Sequence, residues 1–258
     1  GSTVNMKQKE ELPNRPPVLC PGCPHRAVFY NLKKLKLTAM GDIGCYTLGA
    51  LPPLEGIDAC VCMGASIGMA HGFEKAKGKD SSKKVVGVIG DSTFIHSGIG
   101  GLIDIVYNKG VSTILILDNS ITAMTGHQDN PSTGRTIKGE ITAALDLVAL
   151  VKATGINNVR VIDPFNLKES EAALKEEIER DQPSVIIFKR PCALLDKSQS
   201  SPLKIDSEKC TSCGLCLKLG CPAIQKKEEG MVIDESLCNG CKLCTQVCRF
   251  NAMEGVDY

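Results

Sequence analysis

The chain has 258 residues, 43% of them hydrophobic and 23% charged, with a formal net charge of +1. That is enough to bury a core in one large domain with a small appendage, and so even a charge balance leaves no electrostatic footprint for nucleic acid. No apolar run is long enough to cross a bilayer or resembles a signal peptide, so the 14 cysteines point to metal ligation and a cytoplasmic location rather than to disulfides.

Residues 1–16 are polar and read as disordered or linker, with Gly1-Ser2 as a cloning remnant. The spacing of Val28, Leu32 and Leu35 predicts a helix over Arg26–Leu37. Ile57–Cys62 reads as a short strand, which would make Cys60 and Cys62 core residues. Gly64–Gly78 reads as a helix ended by glycine. Lys84–Gly90 and Val111–Asp118 are continuous apolar runs of the kind that form strands buried on both faces, with a helix between them stopped at Gly110. A helix over Thr142–Gly155 and a strand over Asn158–Asp163 follow. A further helix opens on a capping-box-like Asn166 and Glu169 and runs to Arg180, and Ser184–Arg190 is the last strand.

This alternation predicts an α/β domain over residues 17–195, a parallel sheet with helices on both faces. Ligands of such sheets sit beyond the carboxyl ends of the strands, and Asp91 and Asn119 both fall there, 28 positions apart. A carboxylate, an amide carbonyl and one backbone carbonyl would suit Mg²⁺ held against a diphosphate. The helix that begins after Asp91 turns its N–H groups toward the same place. A strand-end Asp before a helix is also an ordinary structural feature.

Residues 196–203 turn polar and read as a linker. From 204 to 258 helical periodicity is lost, and "CTSCGLCLKLGCPAI" is echoed by "CNGCKLCTQVCRFNA", an internal repeat. Cys210, Cys213 and Cys216 are trailed by Cys221; Cys238, Cys241 and Cys244 by Cys248. Zinc sites favour paired cysteines and often histidine, whereas a triplet offers three thiolates to one iron–sulfur cube.

The tail resembles bacterial two-cluster ferredoxins along its whole length, which implies a small α+β domain with two 4Fe–4S clusters and crossed ligation. One cluster would take Cys210, Cys213, Cys216 and Cys248, the other Cys238, Cys241, Cys244 and Cys221. Two departures stand out: the first trailing spacing is four residues rather than three, and Arg249 replaces the second Pro. The extra residue would strain a corner of the second cluster and favour loss of an iron, to a 3Fe–4S form.

Gly90-Asp91 with Asn119 resembles the thiamine-diphosphate motif, although Ser92 stands where a second Gly or similar residue is usual. "MGASIGMAHG", "DNSITAMTGHQ", "CPGCPH" and "GDIGCYTLG" are similar to segments of the 2-oxoacid:ferredoxin oxidoreductases. The wording is most like the C-terminal part of the large subunits of the indolepyruvate branch of that family. The resemblance implies Mg²⁺ on Asp91, Asn119 and the backbone oxygen of Ile121. It implies diphosphate held at Gly90, Ser92 and Thr93, with Thr122 and Ala123 nearby, and Gly44 and Cys45 beside the aminopyrimidine. Met63 or Ile67 would be the apolar wedge under the cofactor, with plain core packing the alternative for each.

Cys20, Cys23, Cys45 and Cys192 match cysteines that hold a third cluster in several relatives; otherwise they are small buried hydrophobes. His25 and His127 lie near these segments, His71 and His96 on or near helices, and a structural hydrogen bond is the expectation for each. The implied reaction is oxidative decarboxylation of an aryl 2-oxoacid such as indolepyruvate with coenzyme A, giving aryl-acetyl-CoA, carbon dioxide and reduced ferredoxin. Oxidation of pyruvate or 2-oxoglutarate is the alternative of the same class, and a non-catalytic electron-transfer module that of another. The implied partners are a pyrimidine-binding domain or subunit supplying the activating Glu, a small β subunit and ferredoxin. The chain alone is expected to be a fragment or split subunit without activity. Neither nucleic acid nor membrane is an expected partner.

Overall fold

A computed structural model describes residues 16–196 and 200–255. The expectations for residues 1–15 and for 197–199 within the linker lie outside the described residues. Helix α1 (His25–Leu35) ends at Lys36, which turns left-handed at φ 55° and returns its N–H to the last turn. A three-residue strand β1 (Thr38–Met40), absent from the sequence reading, follows at once. Then come α2 (Ala65–Lys77), β2 (Val85–Gly90) and α3 (Asp91–Thr93), which passes through a π-helical turn at Phe94–Gly98 into α4 (Ile99–Tyr107). Strand β3 (Thr113–Asp118), α5 (Leu147–Ala153), β4 (Asn158–Ile162), α6 (Leu167–Glu177) and β5 (Ser184–Lys189) complete the larger domain.

The five strands form one sheet in the order β1-β2-β3-β5-β4, every pairing parallel. Alternate residues of the central strands serve two cores. Val86, Val88, Leu115, Leu117, Ile186 and Phe188 pack under α1 and α6, while Val85, Ile89, Ile114, Ile116, Val185 and Ile187 pack under α2, α4 and α5. Burial on both faces is why these strands read as unbroken apolar runs.

Two expectations are corrected. Ile57–Cys62 is not a strand: only Ala59 bridges to Met40, and the chain turns at Cys62 into α2. Cys60 and Cys62 lie exposed beyond the sheet edge rather than in the core. The helix expected over Thr142–Gly155 begins only at Leu147. Asp146 caps it by accepting from the N–H groups of Val148 and Ala149, and the residues before it bond instead to a loop, Thr142 N–H to the Gly134 carbonyl and Leu145 N–H to that of Pro131. An Asp gains more at the cap than inside a helix.

In the smaller domain β6 (Leu203–Ile205) pairs antiparallel with β9 (Met253–Gly255), and β7 (Ile224–Lys227) with β8 (Gly230–Ile233). Short 3-10 turns at Leu215–Leu219 and Leu243–Gln246 take the place of helices. Its core, around Leu203, Leu219, Ile224, Met231 and Leu243, also takes in Ala27 and Leu167 of the larger domain. Gln246 fastens the seam, donating to the Phe165 carbonyl at 2.6 Å and accepting from the Leu167 N–H at 3.1 Å.

Leu115 is fully buried at the sheet centre while Val161 is half exposed on an edge strand. Leu115→Ala is expected to lower stability by about 2–5 kcal/mol and Val161→Ala by under about 1 kcal/mol, read from chemical denaturation midpoints.

Candidate functional site

Strands β2 and β3 run in register, Gly90 beside Leu117, so Asp91 and Asp118 emerge side by side at their carboxyl ends. A cleft of about 340 Å³ opens there. Gly44, Cys45, Met63, Gly90, Asp91, Ser92, Thr93, Asn119, Ile121, Thr122 and Ala123 all line it, with His25, Tyr46 and His96. Ile67 does not; it is fully buried in the core beneath. Of the two candidate wedges only Met63, 48% exposed, borders the cleft.

Asp91 is the first residue of α3 and almost fully buried. Burial, and then the neighbouring Asp118, push its carboxyl up to about 7. Asn130 and Ser132, reaching in from the loop 40 residues further on, donate to its Oδ2 at 3.3 and 3.5 Å; neither was singled out in the sequence. Asp118 turns the chain the other way, accepting at 2.9 Å from the N–H of Ser120, which stands left-handed at φ 59°. The Asn119 carbonyl takes the N–H of Cys192, tying the end of β3 to that of β5. Thr122 and Gln128 exchange both backbone hydrogen bonds and close the following loop. The available donors are hard oxygens, and among the described residues Asp91 has no cationic partner, so the site fits Mg²⁺. The N–H groups opening α3 fit phosphate.

The opposite wall hangs on Asp42, which was given no role in the sequence reading. It is fully buried and accepts from the N–H groups of Ile43, Gly64 and Ser66 at 2.8, 2.8 and 3.2 Å. One carboxylate thereby holds both the Gly44-Cys45 segment and the start of α2. The signal was present: a Gly-Asp pair stands at the carboxyl end of β1 (Gly41-Asp42) as one does at that of β2 (Gly90-Asp91). Tyr46 lies beneath the floor, its hydroxyl donating to the Ile43 carbonyl at 3.0 Å. A Cβ on Gly90 would stand 2.7 Å from the Tyr46 ring, so only glycine ends that strand without displacing it.

The eight tail cysteines separate into two groups around two cavities. Cys210, Cys213, Cys216 and Cys248 line one; Cys221, Cys238, Cys241 and Cys244 line the other. Each trailing cysteine thus sits with the triplet that is not its own. The repeat is also conformational. Ser212 and Gly240, each one residue before the middle cysteine, are left-handed at φ 52° and 69°, and Gly214 and Lys242, each one residue after it, at 72° and 60°. The additional residue before Cys221 is taken up by Gly220, left-handed at φ 65°, whose N–H returns to the Leu217 carbonyl. Backbone N–H groups of Leu203 and Ala252 reach the sulfurs of Cys238 and Cys248, each at 3.4 Å.

Cys20, Cys23, Cys45 and Cys192 come from three segments of the chain into one electrostatic neighbourhood: Cys23 feels Cys20 and Cys192, and so does Cys45. Gly22 repeats the left-handed residue before a second cysteine, at φ 71°. Burial pushes Cys23 and Cys244 up to about 12. Among the described residues no three His, Cys, Asp or Glu side chains close on a single metal ion; the tail thiols surround cavities. The expected histidine hydrogen bonds are not formed by any of the four imidazoles among the described residues. His25 stands edge-on to Tyr46 at 5.8 Å, and His71 sits 3.7 Å from Glu74.

Residues 42–188 match the family described as thiamine pyrophosphate enzyme, C-terminal TPP binding domain, and residues 231–254 match the 4Fe-4S binding domain. The chain is 40% identical over 261 residues to the indolepyruvate oxidoreductase subunit IorA of Archaeoglobus fulgidus, covering 97% of this chain and 41% of that protein. It is 39% identical to the protein of the same name from Pyrococcus horikoshii, with 97% and 42% covered. The chain therefore spans about two fifths of the length of these curated relatives. A 2-oxoglutarate:ferredoxin oxidoreductase from Magnetococcus marinus, solved with 2-oxoglutarate, coenzyme A and succinyl-CoA bound, shares the fold. Its TM-score is 0.59 at 19% identity, over 75% of this chain and 70% of that one.

The Asp91 carboxyl keeps its proton to about pH 7 when folded and releases it near 3.8 when unfolded. The metal-free folded chain then binds more protons in that interval, so its stability falls as pH rises from about 4 to about 7. Asp91→Asn is expected to flatten this decline in denaturation midpoints measured across that range. Asp42→Ala, which strips three backbone donors of their acceptor, is expected to cost about 3 kcal/mol in the same measurement.

Proposed function

The chain belongs to the thiamine pyrophosphate enzyme family through its C-terminal TPP-binding domain, and on that premise we propose that it is the cofactor-holding, electron-carrying part of a 2-oxoacid:ferredoxin oxidoreductase acting on aryl pyruvates such as indolepyruvate. The observation that carries this reading is the continuity of the sites. The cleft bearing Asp91 and Asn119 is bordered by Cys45, one of four converging thiols, and the loop of Cys20 and Cys23 abuts a tail cavity lined by four more. Eight tail thiols in two sets beside a thiamine-type cleft serve to move electrons away from it.

In this reading Asp91, Asn119 and the Ile121 carbonyl hold Mg²⁺, which binds the diphosphate. Ser92 and Thr93 hold the phosphates at the start of α3, Thr122 and Ala123 close over them, and Met63 supports the organic half from below. Bound thiamine diphosphate supplies the electron sink for loss of carbon dioxide from a 2-oxoacid. Gly44 and Cys45 wall the aminopyrimidine side, where a Glu carboxylate is needed; among the described residues no Glu lines the cleft. A pyrimidine-binding domain or subunit brings it, and the chain by itself is inactive. A small β subunit, ferredoxin and coenzyme A complete the assembly. One 2-oxoacid and coenzyme A give one acyl-CoA, carbon dioxide and a proton, while two electrons leave singly through the clusters to ferredoxin. The names of the relatives support the indolepyruvate preference, and a panel of 2-oxoacids on the complete enzyme separates it from oxidation of pyruvate or 2-oxoglutarate.

The chain purified without oxygen, with thiamine diphosphate and Mg²⁺ present, is expected to hold about twelve irons in three cubes and one thiamine diphosphate. Asp91→Asn is expected to lose the thiamine diphosphate and keep the iron. About eight irons and no thiamine would reduce the protein to a ferredoxin-like module on a docking domain.

A further inference from the structure

Arg26, in the first turn of α1, is 2% exposed. Among the described residues it has no carboxylate partner. Its fork is spent on backbone carbonyls: Nη1 donates to Leu219 at 2.8 Å in the smaller domain, and Nη2 to Leu19 at 2.6 Å and Cys20 at 3.0 Å. Nε is buried with no hydrogen-bond partner. The same side chain lines the cavity of Cys221, Cys238, Cys241 and Cys244. Burial opposes its charge, and the groups that favour it are thiols, Cys221 first, then Cys23, Cys241 and Cys20. It therefore stands between the tail cavity and the Cys20–Cys23 loop. That loop touches the Cys238–Cys241 segment: Gly22 lines the tail cavity, and a Cβ placed on it would be 2.0 Å from Asn239 Nδ2.

A buried guanidinium without a counter-ion, carrying an orphaned donor, is costly unless something anionic occupies the space beside it. Four thiolates around an iron–sulfur cube leave a net negative charge, and each added electron makes it more negative. A fixed cation and an N–H directed at sulfur stabilise the reduced form more than the oxidised one and raise the potential.

Resting on the proposed cluster ligation, we propose that Arg26 is a positioning residue for electron transfer. Its Nε–H donates to a sulfur of the cluster held by Cys221, Cys238, Cys241 and Cys244, and its charge makes that cluster the favoured acceptor for electrons arriving from the Cys20, Cys23, Cys45 and Cys192 site. The assignment goes beyond ligation, because it gives the two tail clusters unequal roles. Arg26 lines the cavity of Cys221, Cys238, Cys241 and Cys244, and among the described residues no Lys or Arg lines that of Cys210, Cys213, Cys216 and Cys248.

The test uses the full chain, reconstituted without oxygen, as wild type, Arg26→Lys and Arg26→Gln. Iron content is measured beside redox titrations followed by electron paramagnetic resonance. Arg26→Gln is expected to keep its iron while the midpoint of one cluster falls by at least a factor of ten in the one-electron equilibrium, about 59 mV, and the others hold. Arg26→Lys, which keeps the charge and loses Nε, is expected to fall less. In wild type labelled with ¹⁵N-arginine, the reduced protein is expected to show a weak guanidinium coupling that Arg26→Lys lacks. Unchanged midpoints in an iron-replete Arg26→Gln overturn the assignment. If that variant does not fold, the labelled wild type decides, and a coupling spectrum identical in wild type and Arg26→Lys overturns it. A wild-type chain that takes up no iron in its tail removes the cluster reading itself, which is a separate and recognisable failure.

Discussion

Two carboxylates that repel each other at neighbouring strand ends are the constraint from which the rest of the larger domain follows. The parallel register of β2 and β3 places Asp91 and Asp118 side by side, both buried. Each has its own partners: Asp118 the Ser120 turn and Lys189, 3.4 Å away, and Asp91 the side chains of Asn130 and Ser132. Those hydrogen bonds offset only part of the effect of burial and of Asp118, and the Asp91 carboxyl keeps a raised proton affinity. The Ser120 turn that relieves Asp118 also directs the chain so that Asn119, Ile121, Thr122 and Ala123 all line the cleft.

The same economy appears across the mouth of the cleft. Asp42, at the end of β1, binds three backbone donors and so fixes two walls with one side chain. Three adjacent strands thus carry an aspartate at or within two residues of their carboxyl ends, and the three play different parts: one staples backbone, one faces the cleft, one shapes the loop. Their differences come from what each tertiary neighbour offers, since the local sequences Gly41-Asp42 and Gly90-Asp91 are alike.

The junction between the domains is polar at its centre and apolar around it. Arg26 spans it through carbonyls on both sides, while Ala27 and Leu167 join the smaller core. A 3-10-rich cysteine domain has few apolar side chains of its own, so leaning on α1 and α6 supplies part of the burial it lacks. That dependence brings the Cys20–Cys23 loop against the Cys238–Cys241 loop.

Much of this was legible in the chain itself. Unbroken apolar runs announced β2, β3 and β5 because a strand buried on both faces has no polar side to show. The cysteine triplets announced their repeat because cluster ligation requires fixed short spacing, and Asp91 and Asn119 were found by their place at strand ends. Other features had no local signature. Three residues of β1 are too few to show a period, and Cys60 and Cys62 looked like core until the sheet edge left them outside. Asp146 cut short a helix that periodicity alone extended. Nothing near Asn130 or Ser132 in sequence marks their contact with Asp91, about 40 residues away, and nothing near Arg26 marks its reach to Leu219, nearly 200 residues on. The sequence by itself determined the kinds of chemistry, hard oxygen donors and clustered thiols, since those depend on residue type and short spacing. Which charges meet and which buried cation lies beside the thiols were decided only by the tertiary structure, where packing and register bring distant groups within hydrogen-bonding reach.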